Sequence, residues 1–301
     1  MLNTNAPTTT VSCNICGSAD YSIVYGPGLA QVNQVVKCSR CGLMYANPRI
    51  DADHVRIETW DEDPNWDFEL ANPLRFEKER LQTRDYANTR ALLNRLCPQR
   101  GLLIEVGSSS GSLLETFRND GWRVLGVEPD RNAARYAKAK FGVETTNTIL
   151  ERAGIPDHSA DVVVMLHVIE HVPDPVGTLT EIHRVLKPGG YLIVETPRYD
   201  TLMFKLFGRR ERSISCDGHI YFFTTDTLRK TYEKAGFVLE KFEYVGRSLT
   251  LDRLVYNIGV MIKAPAIARV IQSLSRSLRF NKINFTINVR DMQRVCIRKP
   301  L

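Results

Sequence analysis

The sequence contains no apolar run long enough to cross a membrane and no segment that resembles a secretory signal. A membrane-spanning helix needs roughly 18 or more apolar residues, and no stretch of the 301 residues approaches that length. The first eleven residues are polar and lack the apolar core of a signal peptide. With 43% hydrophobic and 25% charged residues, the composition is typical of a soluble globular chain, and we expect a cytoplasmic protein.

A strong excess of one charge sign is also lacking. The net charge is +6, and residues 250–301 supply more than all of it, with ten Lys or Arg against two acids. Residues 51–69 have the opposite sign and hold eight carboxylates. Such asymmetry can indicate an anionic partner, but charged runs are more often solvated faces. Charge alone therefore does not predict a nucleic-acid partner.

Four of the seven cysteines form two CxxC pairs, and the other three are scattered. The pairs are Cys13 with Cys16 and Cys38 with Cys41. Paired CxxC units in a cytoplasmic protein predict a tetrahedral zinc site rather than disulfides. Each pair is followed by a glycine, which suits the tight turn of a zinc knuckle. With few basic residues nearby, this ribbon is interpreted as a structural clip or a cap over the substrate.

Strand and helix patterns alternate through the centre of the chain. Alternation at this spacing predicts an α/β fold, with a doubly wound, mostly parallel, Rossmann-like sheet of seven strands. The predicted strands are residues 102–106, 123–127, 143–146, 161–166, 191–195 and 238–245, with closing strands at 285–289 and 293–297. The predicted organisation is a zinc ribbon (1–50), an acidic linker with a leading helix (51–100), a core (101–248) and a basic helical insertion with closing strands (249–301).

The turn after the first core strand, residues 105–111, is made of small residues. Such turns let backbone N–H groups approach a ligand. A dinucleotide fingerprint, however, needs three glycines spaced G-x-G-x-x-G. From Gly107 onward, Ser109 and Ser112 stand where the second and third glycines would be. Glu128 follows the second strand, where a carboxylate can accept hydrogen bonds from a ribose diol. The pair of features predicts a nucleoside cofactor without a pyrophosphate.

These motifs together resemble the class I S-adenosylmethionine-dependent methyltransferases. The resemblance covers residues 74–246 and includes the turn at 105–111, Glu128, the segment 161–172 and the Lys-Pro-Gly-Gly turn at 187–190. It implies S-adenosylmethionine as cofactor. The residues it assigns to cofactor binding are Glu105, Gly107, Ser108, Ser109, Gly111, Glu128, Pro129, Leu150 and His167. Ser109 replaces a family glycine and could either crowd the adenosyl group or add a hydroxyl contact.

The resemblance extends, more loosely, to small-molecule methyltransferases that modify sugars or polysaccharides. It rests on the CxxC pairs, residues 218–223 and the ending around 288–300. The motifs of exocyclic-amine and carbon-5 pyrimidine enzymes are missing, and Cys216 is interpreted as incidental. A hydroxyl acceptor would benefit from a general base. His219 is the candidate, with a purely structural histidine as the equal alternative.

We therefore predict transfer of a methyl group to a small-molecule acceptor, most simply a hydroxyl of a sugar or nucleotide-sugar. An RNA methyltransferase that grips its substrate with the ribbon, and a non-catalytic nucleoside-binding scaffold, remain alternatives. Residues 249–280 show helical spacing of apolar residues among Arg and Lys. This pattern fits a helical insertion or a homodimer contact better than a peripheral membrane surface, although the last is also compatible.

Overall fold

The computed structural model describes residues 8–26, 34–50, 85–208, 214, 218–250 and 284–301. Within these ranges, thirteen strands are numbered in chain order. They are β1 (Thr8–Thr9), β2 (Tyr21–Tyr25), β3 (Val35–Cys38), β4 (Met44–Ala46), β5 (Arg49–Ile50), β6 (Leu102–Val106), β7 (Arg123–Val127), β8 (Thr145–Thr146), β9 (Ala160–Leu166), β10 (Leu186–Pro197), β11 (Tyr221–Phe222), β12 (Val238–Thr250) and β13 (Asn284–Arg298).

Six α-helices are found in the same ranges, and their ends follow local capping rules. They are α1 (Ala87–Leu96), α2 (Ser112–Asn119), α3 (Arg131–Phe141), α4 (Pro175–Val185), α5 (Leu202–Phe207) and α6 (Thr225–Lys234). Asp130 caps α3 by accepting hydrogen bonds from two backbone amides of its first turn. Thr224 forms a reciprocal capping box with Thr227 at the start of α6. None of the helices in the described part of the chain is long and apolar enough to span a membrane.

Seven strands form the central sheet in the order β12-β13-β10-β9-β6-β7-β8. The five strands from β10 to β8 pair in parallel, whereas β13 is antiparallel to both of its neighbours. The predicted α/β fold with a seven-stranded, mostly parallel sheet is therefore confirmed. Two predicted strands, β6 and β7, are observed with the same bounds; β6 is almost wholly buried, and β7 is buried toward its carboxyl end.

The closing part of the sheet differs from the prediction in two respects. The segments expected as two strands form one long strand, β13, with a left-handed backbone at Arg290 (φ 58°) between them. Strand β12 continues to Thr250, so Leu249 and Thr250 are strand residues rather than the start of a helical insertion. Both differences have the same cause. The two strands pair with each other beyond the sheet, and a register shift near Val245 absorbs the irregularity.

Alternate residues of the central strands pack on opposite faces of the sheet, as the period of two requires. In β9, Val163 and Met165 face one core, whereas Val162 and Val164 face the other. The second core is closed by apolar residues of α1 and α2. The first core is closed by α4, by α6 and by residues of the cysteine ribbon, including Tyr45. The ribbon thus shares a hydrophobic core with the central sheet.

A second sheet ties the ribbon to a loop of the core. Its order is β11-β4-β3-β2, so a strand from residues 221–222 completes a sheet otherwise built from the first 46 residues. Arg49 donates to the Tyr221 hydroxyl (3.0 Å) and to the Pro173 carbonyl (2.9 Å). Lys230 and Lys234 of α6 donate to ribbon carbonyls at Cys41 and Ile15. The position of β11 is therefore set by the ribbon.

Several predicted features lie outside the described residues. They are the acidic segment 51–69, the first part of the predicted leading helix 74–96, residues 251–280 of the predicted insertion, and Cys216. For these segments, the interpretation of the sequence given above remains a prediction.

Candidate active site and cysteine cluster

The four cysteines of the CxxC pairs converge on one point. Their sulfur atoms all lie within 4.8 Å of one another, with 3.3 Å between Cys13 and Cys41 and 3.5 Å between Cys16 and Cys38. These separations are too long for a disulfide, whose sulfur atoms are about 2.05 Å apart. Four sulfurs at about 2.3 Å from a zinc ion would lie about 3.8 Å from each other. The cluster therefore fits a tetrahedral zinc ion.

The small-residue turn after β6 packs closely against side chains of neighbouring segments. Gly107 has φ +73°, and a Cβ there would lie 2.4 Å from the Val168 side chain. Gly111 has φ +76° and precedes α2, where a Cβ would lie 2.8 Å from Ala137. Only glycine fits such positions. Ser109, between them, also adopts a left-handed backbone (φ 46°), which is uncommon for a residue with a side chain.

Glu128 connects this turn to the end of β7. Its carboxylate is 6% exposed and accepts hydrogen bonds from the backbone N–H of Ser109 (2.7 Å) and of Asp130 (2.9 Å). The Asn147 side chain donates to the carbonyls of Glu128 and Pro129, both at 2.9 Å. The Glu128 carboxylate is thus held in one orientation beside the turn, at the carboxyl edge of the parallel strands.

A buried ion pair lies at the carboxyl end of β10. Glu195 accepts a hydrogen bond from Nε of Arg294 (2.7 Å), and Nη2 of Arg294 lies 2.6 Å from the same oxygen. The His167 imidazole lies 3.3 Å from the other oxygen of Glu195. Burial opposes ionisation of Glu195, but the charge of Arg294 and the contact with His167 outweigh it and lower the carboxyl pKa to about 2. Arg294 also donates to Thr89 of α1 (2.7 Å). Glu195 is therefore an anion at neutral pH.

A second buried carboxylate, Glu170, lies on the other side of His167. One oxygen accepts a hydrogen bond from the Thr196 hydroxyl (2.9 Å), and the other is 3.7 Å from the His167 imidazole. Burial again opposes ionisation, but His167 and the electrostatic attraction of His171 and His219 lower the pKa of Glu170 to about 2. The Glu170 carbonyl accepts the N–H groups of residues 220 and 221 at 2.9 and 3.1 Å.

His219 lies next to Glu170 in a mainly buried position. It is 6% exposed, and its Nδ1 is 3.2 Å from the Tyr199 hydroxyl. Its ring packs edge-on against the exposed His171, with ring centres 4.6 Å apart. Glu170, His171 and His219 each place one potential ligand atom within 4.8 Å of the others. The site therefore combines a buried anion with two imidazoles, a set able to move protons or bind a metal.

A family model described as a methyltransferase domain matches residues 78–241 of this chain. That stretch is more than half of the sequence and contains the turn, Glu128, His167, Glu170 and His219. The chain belongs to this methyltransferase family.

Curated relatives and a solved structure agree with this assignment. The chain is 31% identical to the C-methyltransferase NovU of Streptomyces niveus over 45% of its own length and 32% of NovU. It is 28% identical to the ubiquinone biosynthesis O-methyltransferase of Nitrosospira multiformis over 52% of its own length and 70% of that protein. A SAM-dependent methyltransferase structure from Thermotoga maritima superimposes with a TM-score of 0.50, at 22% identity, over 77% of this chain and 96% of the other.

The methyltransferase fold brings most of the predicted site residues to one edge of the sheet. Gly107, Ser109 and Glu128 are linked by backbone contacts, since the Gly107 N–H bonds to Val127 (2.8 Å) and the Ser109 N–H to Glu128. Buried site residues at the same edge are Glu105, Ser108 and Glu128. Leu150 lies in the hydrophobic core on a short 3₁₀ helix, so its side chain is not directed toward solvent.

Glu195 and Arg294 belong to none of the sequence motifs described above, and Glu170 lies only within the segment 161–172 that carries the family resemblance. A signal for Glu195 was present. Glu105, Glu128 and Glu195 each stand near the carboxyl end of a predicted core strand, where side chains meet at one edge. No local pattern indicates the partner, because Arg294 lies 99 residues away and reaches Glu195 only through the antiparallel pairing of β13 with β10.

Replacing Ser109 with glycine is expected to stabilise this methyltransferase by up to about 1 kcal/mol. A left-handed backbone costs a residue with a side chain about 1 kcal/mol, and glycine removes that cost while adding some unfolded-state entropy. Urea unfolding would measure the change. The matched variant Ser112→Gly lies in the first turn of α2 and is expected to destabilise by about 0.5–1 kcal/mol. Equal effects of the two variants would contradict the argument.

Glu195→Gln is expected to destabilise the folded state by about 3 kcal/mol at pH 7, because it leaves the charge of Arg294 buried and less well paired. The pKa of Glu195 is lowered in the folded protein, so the wild type should lose stability as pH falls from about 4.5 toward 2. The variant should lose less over that range. Urea titrations at several pH values test this. The exposed control Glu233→Gln should change stability by less than 1 kcal/mol.

Proposed function

We propose that this protein transfers the methyl group of S-adenosylmethionine to a hydroxyl of a small molecule, a sugar or a related metabolite. The observation that carries the proposal is the buried Glu128 carboxylate, oriented by two backbone amides directly beside the left-handed turn. A fixed carboxylate at this place can accept both hydroxyls of a ribose. One relative is a C-methyltransferase and another is an O-methyltransferase, and both functions support the proposed transfer of a methyl group.

The cofactor would lie along the carboxyl edge of β6, β7 and β9. In the proposal, Glu128 binds the ribose, Gly107 and Gly111 allow the backbone to approach, and Ser108 and Ser109 line the turn. Pro129 and Leu150 border the adenine, whereas Glu105 and His167 lie at the methionine end. A positively charged sulfonium fits an edge that holds the buried anions Glu170 and Glu195. The bound cofactor supplies the electrophilic methyl group.

The acceptor would enter over the later strands, where His219 and Glu170 are found. Methyl transfer is an in-line displacement in which an acceptor oxygen attacks the methyl carbon as the bond to sulfur breaks. The protein's task is alignment and removal of the hydroxyl proton. His219 is positioned by the Tyr199 hydroxyl and can receive that proton. The neighbouring Glu170 anion stabilises the imidazolium that forms.

The ribbon is proposed to hold a structural zinc ion rather than a catalytic one. All four ligand positions of the cysteine cluster are taken by thiolates, which leaves no open position for a substrate. Through β4 and Arg49, the ribbon supports β11 and the loop at Pro173. These are the segments next to His219 and Glu170. The ribbon would therefore shape the acceptor side of the site.

Glu128→Gln is expected to weaken S-adenosylmethionine binding about 10- to 100-fold, since a hydrogen bond to a charged group contributes about 1.5–3 kcal/mol. Isothermal titration calorimetry measures the affinity. Glu144→Gln is the matched control, because Glu144 is an exposed carboxylate in the segment between α3 and β8. No S-adenosylmethionine binding by the wild type, or equal affinities of wild type and Glu128→Gln, would exclude the proposed cofactor site.

His219→Ala is expected to lower the rate of methyl transfer about 10²- to 10⁴-fold while the affinity for S-adenosylmethionine stays the same. Candidate nucleotide-sugars are incubated with protein and cofactor, and the mass gain of one methyl group is followed over time. His183→Ala is the control, since His183 packs on Phe237 away from the site. A variant at His219 with wild-type turnover would show that this histidine has only a structural role.

A further inference from the structure

Three side chains outside the cysteine ribbon form a second cluster of metal-ligand type. Glu170, His171 and His219 bring a carboxylate oxygen and two imidazole nitrogens to within 4.8 Å of one another. Glu170 and His171 follow β9, whereas His219 precedes β11, so the fold joins segments about 50 residues apart. Two imidazoles and one carboxylate are a donor set that first-row divalent metal ions prefer.

Glu170 provides an observation that points to a ligand independently of the cluster. Its side chain is fully buried, and its Oε1 atom makes no hydrogen bond in the structure, with the His167 imidazole 3.7 Å away. The other oxygen is occupied by Thr196 at 2.9 Å. A buried carboxylate oxygen without a hydrogen bond is costly unless something else satisfies it. A cation bound on the His171 and His219 side would do so.

The surroundings of the two histidines suit coordination. The Tyr199 hydroxyl lies 3.2 Å from Nδ1 of His219 and fixes the orientation of the ring, as a hydrogen bond to a metal-binding histidine does. Gly218 has φ +84°, and a Cβ there would come within 3.1 Å of Nδ1 of His171, so a larger residue would crowd this imidazole. His171 is exposed, which provides a path for an ion from solvent to the other two ligands.

We propose that Glu170, His171 and His219 bind one divalent first-row transition-metal ion, such as Zn²⁺, Mn²⁺ or Co²⁺, which holds the acceptor hydroxyl. The inference rests on the proposed function and changes how the hydroxyl is activated, not the reaction itself. Three protein ligands leave open coordination positions, as catalytic metal sites require. An acceptor with two neighbouring oxygens, a vicinal diol, would fill two of them.

The chemistry balances without any further reactant. The metal-bound hydroxyl loses its proton to solvent, because a divalent ion lowers the pKa of a hydroxyl bound to it. The resulting oxygen anion attacks the methyl carbon of the sulfonium. A carbon–oxygen bond forms, the carbon–sulfur bond breaks, and its electron pair stays on sulfur as a neutral thioether. With the ion bound, His219 acts as a ligand, and the ion takes over its role in deprotonation.

The test counts metal ions per chain. Full-length protein is saturated with Zn²⁺, then incubated with Co²⁺, desalted and analysed for both elements. The wild type should retain one metal ion more per chain than His171→Ala, a variant of an exposed side chain that leaves the cysteines intact. Cobalt on nitrogen and oxygen ligands should show weak visible bands without the strong thiolate charge-transfer absorption of a cysteine site. The control His183→Ala should match the wild type.

Equal metal contents of wild type and His171→Ala would overturn the proposal, as would cobalt absorption arising from the cysteine cluster alone. Failure of the metal site and failure of the proposed methyl transfer give different results. Retained turnover after chelation, together with loss of activity in His219→Ala, would leave methyl transfer intact and return His219 to the role of general base. A second metal ion that disappears in His171→Ala, in a protein that does not bind S-adenosylmethionine, would leave the metal site and remove the proposed reaction.

Discussion

Buried carboxylates at one edge of the parallel sheet are the constraint on which the site depends. Glu105, Glu128, Glu170 and Glu195 are each less than 7% exposed, and a buried charge is tolerated only with partners. The partners of three of these carboxylates are described, and they differ in kind. Backbone amides hold Glu128, Arg294 holds Glu195, and histidines surround Glu170. The edge keeps a concentration of negative charge that favours a cationic cofactor or a metal ion.

The His167 imidazole lies between two of these anions, and the backbone conformation of His167 places it there. It follows β9 with a left-handed backbone (φ 56°), and its imidazole lies 3.3 Å from Glu195 and 3.7 Å from Glu170. Its own N–H bonds to the Glu195 carbonyl (2.9 Å). A backbone conformation of this kind costs free energy that the surroundings must supply. The left-handed turn after β9 places the His167 imidazole between the two anions.

Much of the sheet could be predicted from sequence because its strands are short buried runs. The bounds of β6 and β7 agree with the prediction, and β9 differs by one residue at its start. The long β12–β13 pair could not be predicted in full. Its length depends on pairing between residues that are 34–60 positions apart, which no local pattern encodes. The edge strand β8 comprises only Thr145 and Thr146, the two residues that pair with β7, whereas the prediction was 143–146.

The candidate site shows the same contrast between residues that a local motif predicts and residues that only the tertiary structure brings together. The glycines at 107 and 111, Glu128 and the four cysteines could be predicted as candidate site residues because each belongs to a motif with fixed spacing. Residues that act through the tertiary structure were missed. Tyr199 reaches His219 across 20 residues, and Arg294 reaches Glu195 across 99. Their side chains carry no local signature, since only the strand order brings them together.

One of the contacts between the ribbon and the rest of the protein runs through the backbone carbonyl of Glu170. The Glu170 carbonyl accepts two N–H groups from the segment that becomes β11, and β11 in turn pairs with β4 of the ribbon. The backbone of Glu170 is therefore linked to the ribbon through two strands, first β11 and then β4. His219 lies two residues before β11. The cysteine ribbon and the segment that carries His219 are therefore connected through β11.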